Sequence, residues 1–292
     1  MRVGIVVLPT DRWPQQRDRW RRAEAYGFDH AWTYDHLLWD PLGHLPWGAT
    51  VPTLVAAATV TERIPLGTWV ASPNFRHPVP FARELAALDD VSGGRAVLGI
   101  GAGGTGHDAR TLGADPLPPA DRAARLEEFV DVLDRVLTLP ATDHDGRFYT
   151  AVDARTLLPC VQAPRLPFVI AANGPRTMRL AARYGEGWAT TGATPRGASD
   201  ADWWAGVAGL AARFEEVLAG SGRDPASMRR MLSVDAAATF SLVSAAHFVD
   251  AAGRAAALGV TDVVVHWPVP GAPVYDAPEA VLEEIAPLLG TL

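Results

Sequence analysis

The sequence predicts a (β/α)8 barrel. Three observations carry this expectation. Eight short apolar runs are each followed by a segment of helical spacing. The runs are apolar throughout, as strands buried on both faces of a parallel sheet must be. The first strand–helix turn, Leu8-Pro9-Thr10, lacks the GxGxxG pattern of a doubly wound dinucleotide-binding sheet, the competing architecture. The 292 residues fit a barrel, which takes about 250, and residues 1–292 are read as one domain.

Val3–Leu8 reads as the first strand and Pro14–Tyr26 as a helix stopped by Gly27. Asp29–Tyr34 is the second strand, followed by the Ala-rich helix Thr50–Thr61. Ile64–Ala71 is the third, and the helix Pro78–Val91 closes at Ser92-Gly93-Gly94. Ala96–Ile100 is the fourth and runs into Gly101-Ala102-Gly103-Gly104. The rhythm then breaks. Residues 104–119 are rich in Gly and Pro around a short helical piece at Asp108–Leu112. Arg122–Leu139 is a long amphipathic helix, and residues 140–167 hold four prolines. Residues 104–167 are therefore read as an insertion after strand 4. Strands resume at Phe168–Ala171, Gly187–Thr190, Met231–Val234 and Asp262–Trp267. Their helices are Arg176–Tyr184, Asp202–Ala219, Ala245–Leu258 and Pro278–Leu289.

Composition narrows the chemistry. The net charge of -7 argues against a general nucleic-acid binder. All 26 basic residues are Arg, which excludes Schiff-base lysines and the P-loop lysine. The single cysteine, Cys160, excludes an intrachain disulfide and any multi-cysteine metal site. The opening MRVGIVVLPTDRW is too short in its apolar run for a signal peptide, and no stretch nears the roughly 18 residues of a membrane span. A cytoplasmic protein without membrane or nucleic-acid partners is expected.

A barrel gathers its chemistry at the C-terminal ends of the strands. Those ends carry Asp35-His36, Trp69-Val70-Ala71, the glycines 101–104, Asn173-Gly174-Pro175, Thr190-Thr191-Gly192, Asp235 and His266-Trp267. His36, His107, Asp235 and His266 could converge on a metal, so a metal-dependent barrel hydrolase is a competing reading. No GxSxG elbow and no paired strand-end carboxylates are present. Asn173-Gly174-Pro175 precedes a helix whose free N–H groups suit a phosphate, with Arg176 adding charge; the same residues also serve as an ordinary helix cap. Gly101 and Gly103 let a ligand approach the backbone, or simply make a loop entry.

Three stretches carry a resemblance. AEAYGFDHAWTYDHL (23–37), RIPLGTWVASPNFRHPVPFARELAALDDVSGGRAVLGIGAG (63–103) and AANGPRTMRLAARYGEGWATTG (171–192) resemble, in order, signatures of the bacterial luciferase-like monooxygenase superfamily, and GVTDVVVHWP (259–268) is similar to its last strand. The resemblance implies a (β/α)8 barrel, usually homodimeric, binding FMN or the deazaflavin coenzyme F420. Asp35-His36 points to the deazaflavin. Gly104-Thr105-Gly106, where many deazaflavin members carry Glu, points away from it.

Carried over by position, the resemblance makes His36 the residue at the reactive edge of the ring, with Asp35 orienting it or bonding to a backbone group in a purely structural role. Trp69, Val70, Ala71, Gly101 and Gly103 would meet the ring, and Asn173, Gly174, Arg176, Thr190 and Thr191 the phosphate side. A non-proline cis bond is implied at Trp69–Val70. Trp39, Trp47, Trp69 and Trp267 are candidates to line an apolar substrate cavity. The expected activity is hydride transfer to or from F420, or oxygen insertion with reduced FMN supplied by a separate flavin reductase. A non-catalytic flavin-binding protein is the remaining alternative.

Overall fold

A computed structural model describes residues 1–104, 106–194 and 197–292; Thr105, Pro195 and Arg196 lie outside the described residues. Eight parallel strands close on themselves: β1 (Arg2–Val6), β2 (His30–Thr33), β3 (Leu66–Thr68), β4 (Ala96–Gly101), β7 (Phe168–Ala171), β8 (Gly187–Thr190), β9 (Arg229–Ser233) and β10 (Asp262–His266). The order is β1-β10-β9-β8-β7-β4-β3-β2, so each strand pairs with its neighbour in sequence and the last closes on the first. This is the expected TIM barrel.

The outer layer consists of α1 (Trp13–Ala25), α2 (Thr50–Ala58), α3 (Pro78–Ser92), α5 (Pro119–Thr138), α6 (Pro175–Tyr184), α7 (Asp200–Ala219), α8 (Ala245–Ala257) and α9 (Val281–Ile285). The short helix α4 (His107–Thr111) follows β4. Within the expected insertion, α5 packs on α3 and α6 and thus serves as the barrel's fourth helix. The added structure is α4 with its flanking loops and a hairpin, β5 (Thr142–Asp145) with β6 (Thr150–Ala154). The last helix is shorter than its apolar spacing implies: only Val281–Ile285 is α-helical, and Pro287 falls in a 3-10 turn over Ala286–Thr291.

Side chains divide into two apolar layers, as strand alternation requires. One set, including Val3, Ile5, Leu98, Phe168 and Val263, faces the helices. The other fills the barrel: Val6, Trp32, Trp69, Val97, Val169, Met231 and Val264, none more than 8% exposed. At the N-terminal end of the strands the interior is polar and closed. Asp262 meets His30 Nε2 at 3.1 Å and pairs with Arg229 and Arg2. Trp32 Nε1 donates to His30 Nδ1 at 2.5 Å. The other end is the open one.

Candidate active site

Tyr34, Asp35 and His36 follow β2 at the C-terminal mouth. Two neighbours pin their backbone: Thr50 Oγ1 donates to the Tyr34 carbonyl and Trp47 Nε1 to that of His36, both at 2.8 Å. The side chains then part. Asp35 is buried and takes both its hydrogen bonds from Arg76, at 2.6 and 2.7 Å. It does not orient His36; this corrects the expectation, because its carboxylate is spent on the bidentate pair with Arg76 while His36 Nδ1 meets a different carboxylate, that of Asp108.

His36 is oriented instead by Asp108 on α4. Nδ1 and Asp108 Oδ2 are 2.9 Å apart, and Asp108 Oδ1 accepts from the Leu37 N–H at 2.8 Å. Burial works against the Asp108 charge, but His36, the Leu37 N–H and Asn74 outweigh it and hold the carboxyl below its usual range. His36 itself keeps partial exposure at the mouth.

Tyr34 leads into a second network. Its hydroxyl lies 2.8 Å from His266 Nε2 and 3.0 Å from the Tyr275 hydroxyl. His266 Nδ1 is 2.9 Å from Asp235 Oδ2. Burial, above all, raises the Tyr34 pKa well beyond the usual phenol range, against the opposing effect of the Tyr275 hydrogen bond. Tyr275 stacks on His266 at 3.9 Å and on Trp39 at 5.8 Å. Tyr34, Trp39, Tyr275 and Asp235 line a cavity of about 660 Å³ bounded also by Thr191, Gly192 and Trp203.

Across the mouth the wall changes character. Val70 follows β3, Gly101 ends β4 and Ala171 ends β7. A Cβ placed on Gly101 would sit 3.1 Å from Val70 Cγ2 and 3.2 Å from Ala171 Cβ, so the three make one continuous low shelf. The Trp69–Val70 bond is cis. Gly103 adopts φ 75° and lies against Asn74, which Arg125 holds at 2.5 Å. Trp69 and Ala71 turn away from this surface. Trp69 packs on Trp32 inside the barrel, and Ala71 faces the helix layer. A shelf of small side chains leaves room for a flat ring. A side chain at Gly101 would occupy that space.

At the next two strand ends, Thr190 Oγ1 donates to Asn173 Oδ1 at 2.7 Å and accepts from the Gly192 N–H at 3.0 Å. Asn173 Nδ2 donates to the Gly192 carbonyl at 3.0 Å. The Asn173 amide thus ties two loops together. Gly174 borders open space at the start of α6. The Arg176 guanidinium is bound to Glu127 through Nε, at 2.7 Å, and through a terminal nitrogen. What α6 offers an anion is backbone N–H and dipole, with the Arg176 charge already shared.

Trp39 and Trp47 stand at the mouth, but Trp267 does not: it is buried under Tyr26 and Arg22 on the helix side. The metal reading also fails on geometry. His36 pairs with Asp108, His266 with Asp235, and His107 approaches Asp40 at 3.9 Å, each separately. Among the described residues no group of three or more His, Cys, Asp or Glu could hold a metal ion. Nor, among them, is any helix long and apolar enough to cross a membrane.

Sequence reasoning missed Asp108, Arg76, Tyr34 and Tyr275 as site residues. Strand alternation was the available signal for Tyr34, since it lies two residues beyond the inward-facing Trp32. Nothing local marks the other three, whose partners are 41 to 241 residues away.

The chain is similar to several characterised proteins. It is 38% identical over 172 residues to F420-dependent glucose-6-phosphate dehydrogenase of Beutenbergia cavernae, covering 58% of this chain and 50% of that protein. It is 35% identical over 225 residues to 4-hydroxyprotoasukamycin monooxygenase of Streptomyces nodosus subsp. asukaensis, covering 73% and 56%. The chain spans about half the length of the curated relatives it matches. Its fold superposes on the F420-dependent tetrahydromethanopterin reductase of Methanopyrus kandleri with a TM-score of 0.75 at 20% identity, covering 98% and 97% of the two chains. The model of the luciferase-like monooxygenase family matches residues 1–260. With that match over most of its length and its closed eight-stranded barrel, the chain belongs to the luciferase-like monooxygenase family.

Proposed function

We propose that the protein is a flavin- or deazaflavin-dependent oxidoreductase acting on a small, apolar organic substrate. The observation that carries this reading is the make-up of the mouth: Val70, Gly101 and Ala171 lie together at three strand ends, Tyr34, Trp39 and Tyr275 line a cavity of about 660 Å³, and the His36 ring lies 5.9 Å from that of Tyr34. Bound there, coenzyme F420 would supply hydride transfer, or reduced FMN oxygen insertion. The protein's part is placement and proton control. The shelf supports a planar ring. The start of α6, with Gly174 and Thr191 beside it, offers the phosphate side its N–H groups. His36, with Nδ1 held by Asp108, presents Nε2 as a proton donor or acceptor at the mouth. The aromatic wall excludes water from an apolar substrate.

F420 is the favoured cofactor, supported by the Asp35-His36 pair and by the names of several relatives. The test is a titration of the purified protein with FMN and F420 side by side, followed by absorbance. Micromolar binding of either supports the reading, and binding of neither removes it. A homodimer in the cytoplasm, served by a separate flavin reductase in the FMN case, belongs to the same proposal, and sedimentation equilibrium tests the dimer.

A further inference from the structure

Asp235 sets the direction of the hydrogen bonds that end at Tyr34. Its carboxylate accepts from the His266 backbone N–H at 2.6 Å, from the Ser241 N–H at 3.0 Å and from His266 Nδ1 at 2.9 Å. A carboxylate only accepts, so in the neutral imidazole the proton sits on Nδ1 and Nε2 is the acceptor. Tyr34, 2.8 Å away, must then donate its one O–H to Nε2, and Tyr275 donates to the Tyr34 oxygen. A phenol oxygen has two acceptor positions. Among the described residues no donor meets the second, and Tyr34 lines a cavity from which one could arrive.

The arrangement is held firmly. His266 is 1% exposed and the Asp235 side chain is fully buried. Tyr275 covers the imidazole face at an interplanar angle of 4° and does so with φ 61°, a left-handed conformation that a bulky residue adopts only where its surroundings impose it. Such a costly arrangement of polar groups beside an open cavity is characteristic of a site that handles protons.

We propose that Tyr34 is a catalytic proton acceptor and donor for a hydroxyl-bearing substrate, with His266 and Asp235 as the positioning residues behind it. This rests on the oxidoreductase reading and deepens it. In the direction of oxidation, the substrate O–H bond breaks and its proton passes to the Tyr34 oxygen while the Tyr34 proton passes to His266 Nε2. The substrate C–H hydrogen leaves with its electron pair as hydride to the oxidised flavin or deazaflavin, and C=O forms. The imidazolium faces the Asp235 carboxylate, which balances its charge. Among the described residues, Tyr34 also faces Tyr275, the His36 ring at 5.9 Å and the uncharged rings of Trp39 and Trp47.

The test needs no cofactor. Benzyl alcohol and benzyl methyl ether are titrated into the protein and followed by ligand-observed NMR. The ether lacks the donor. Wild type should prefer the alcohol by about fivefold, the worth of one hydrogen bond. Tyr34→Phe, which keeps the ring and its packing, should bind the two equally. Equal binding by wild type, or a preference that survives Tyr34→Phe, overturns the proposal. Spectra of 15N-histidine-labelled protein read the relay directly. His266 should show the Nδ1–H tautomer, with Nε2 shifting to an unbonded acceptor position in Tyr34→Phe; an Nε2–H tautomer overturns the assignment. Parallel FMN and F420 titrations separate the two failures: loss of cofactor binding with the alcohol preference intact removes the redox use of the relay, whereas loss of the preference with cofactor binding intact removes the relay.

Discussion

His36 and Asp108 meet at 2.9 Å although 72 residues separate them, and the contact joins the end of β2 to the short helix after β4. The imidazole therefore reaches the mouth with a fixed ring orientation. His36→Ala is expected to lower turnover by about 10²–10³-fold while the cofactor dissociation constant stays within a few-fold. Asp108→Asn should lower the rate by less and shift the pH profile. Stopped-flow reduction and cofactor titration of each variant check this. A His36 variant that binds no cofactor would make His36 a binding residue.

The shelf gives a prediction of opposite kind. Gly101→Leu should weaken cofactor binding by at least about tenfold, because the new side chain meets Val70 and Ala171 and stands where a flat ring would lie. Gly174→Glu should do the same by placing negative charge at the start of α6, with fold stability unchanged, since a Cβ there has open space. Unaltered affinity in both variants would refute the site.

The Asp35–Arg76 pair should matter for stability. Arg76 is held between Asp35 and Glu84, 3.0 Å away, and lies over the Phe81 ring. Arg76→Met strands a buried carboxylate and should cost about 3 kcal/mol in urea unfolding. The double variant with Asp35→Asn should recover most of that loss. If the two single losses simply add, the pair is not coupled.

Acid should attack the closed end of the barrel first. Burial works against the Asp262 charge, but His30 and Arg229 overcome it and depress its pKa well below the usual carboxylate range. A depressed carboxylate contributes stability above its unfolded pKa near 4, and that contribution is lost as pH falls toward the folded value. Unfolding free energy should therefore decline below about pH 4. Asp262→Asn should show a flatter decline from a lower starting point, as urea titrations between pH 2 and pH 7 would show.

The barrel was legible because its strands centre on short apolar runs and its helices are periodic, both local signals. The closing stretch was misread as one helix because apolar spacing at Val281, Leu282, Ile285 and Leu289 continues past Pro287, while the backbone cannot. At the site, the positions of His36, Val70 and Gly101 could be read from motif and strand end. The partners could not. Asp35 is adjacent to His36 in sequence and so looked like its partner, but the two side chains part beyond β2, Asp35 to Arg76 and His36 to Asp108. The residue that does orient His36 lies on the five-residue helix α4, inside a Gly- and Pro-rich stretch whose path back to the mouth no periodicity describes. His266 and Asp235 were noticed only as possible metal ligands, since sequence gives residue types and not the pairing that uses them up.

The packed interior beneath the mouth has a kinetic consequence. Among the described residues, Trp32, Trp69, Val97, Met231 and Val264 fill the barrel, and the His30–Asp262–Arg229 cluster caps its far end. Any two ligands that use this mouth share one doorway. The one that settles on the shelf must enter first and leave last, so turnover should follow an ordered sequence, and excess substrate should inhibit by occupying the entrance ahead of its partner.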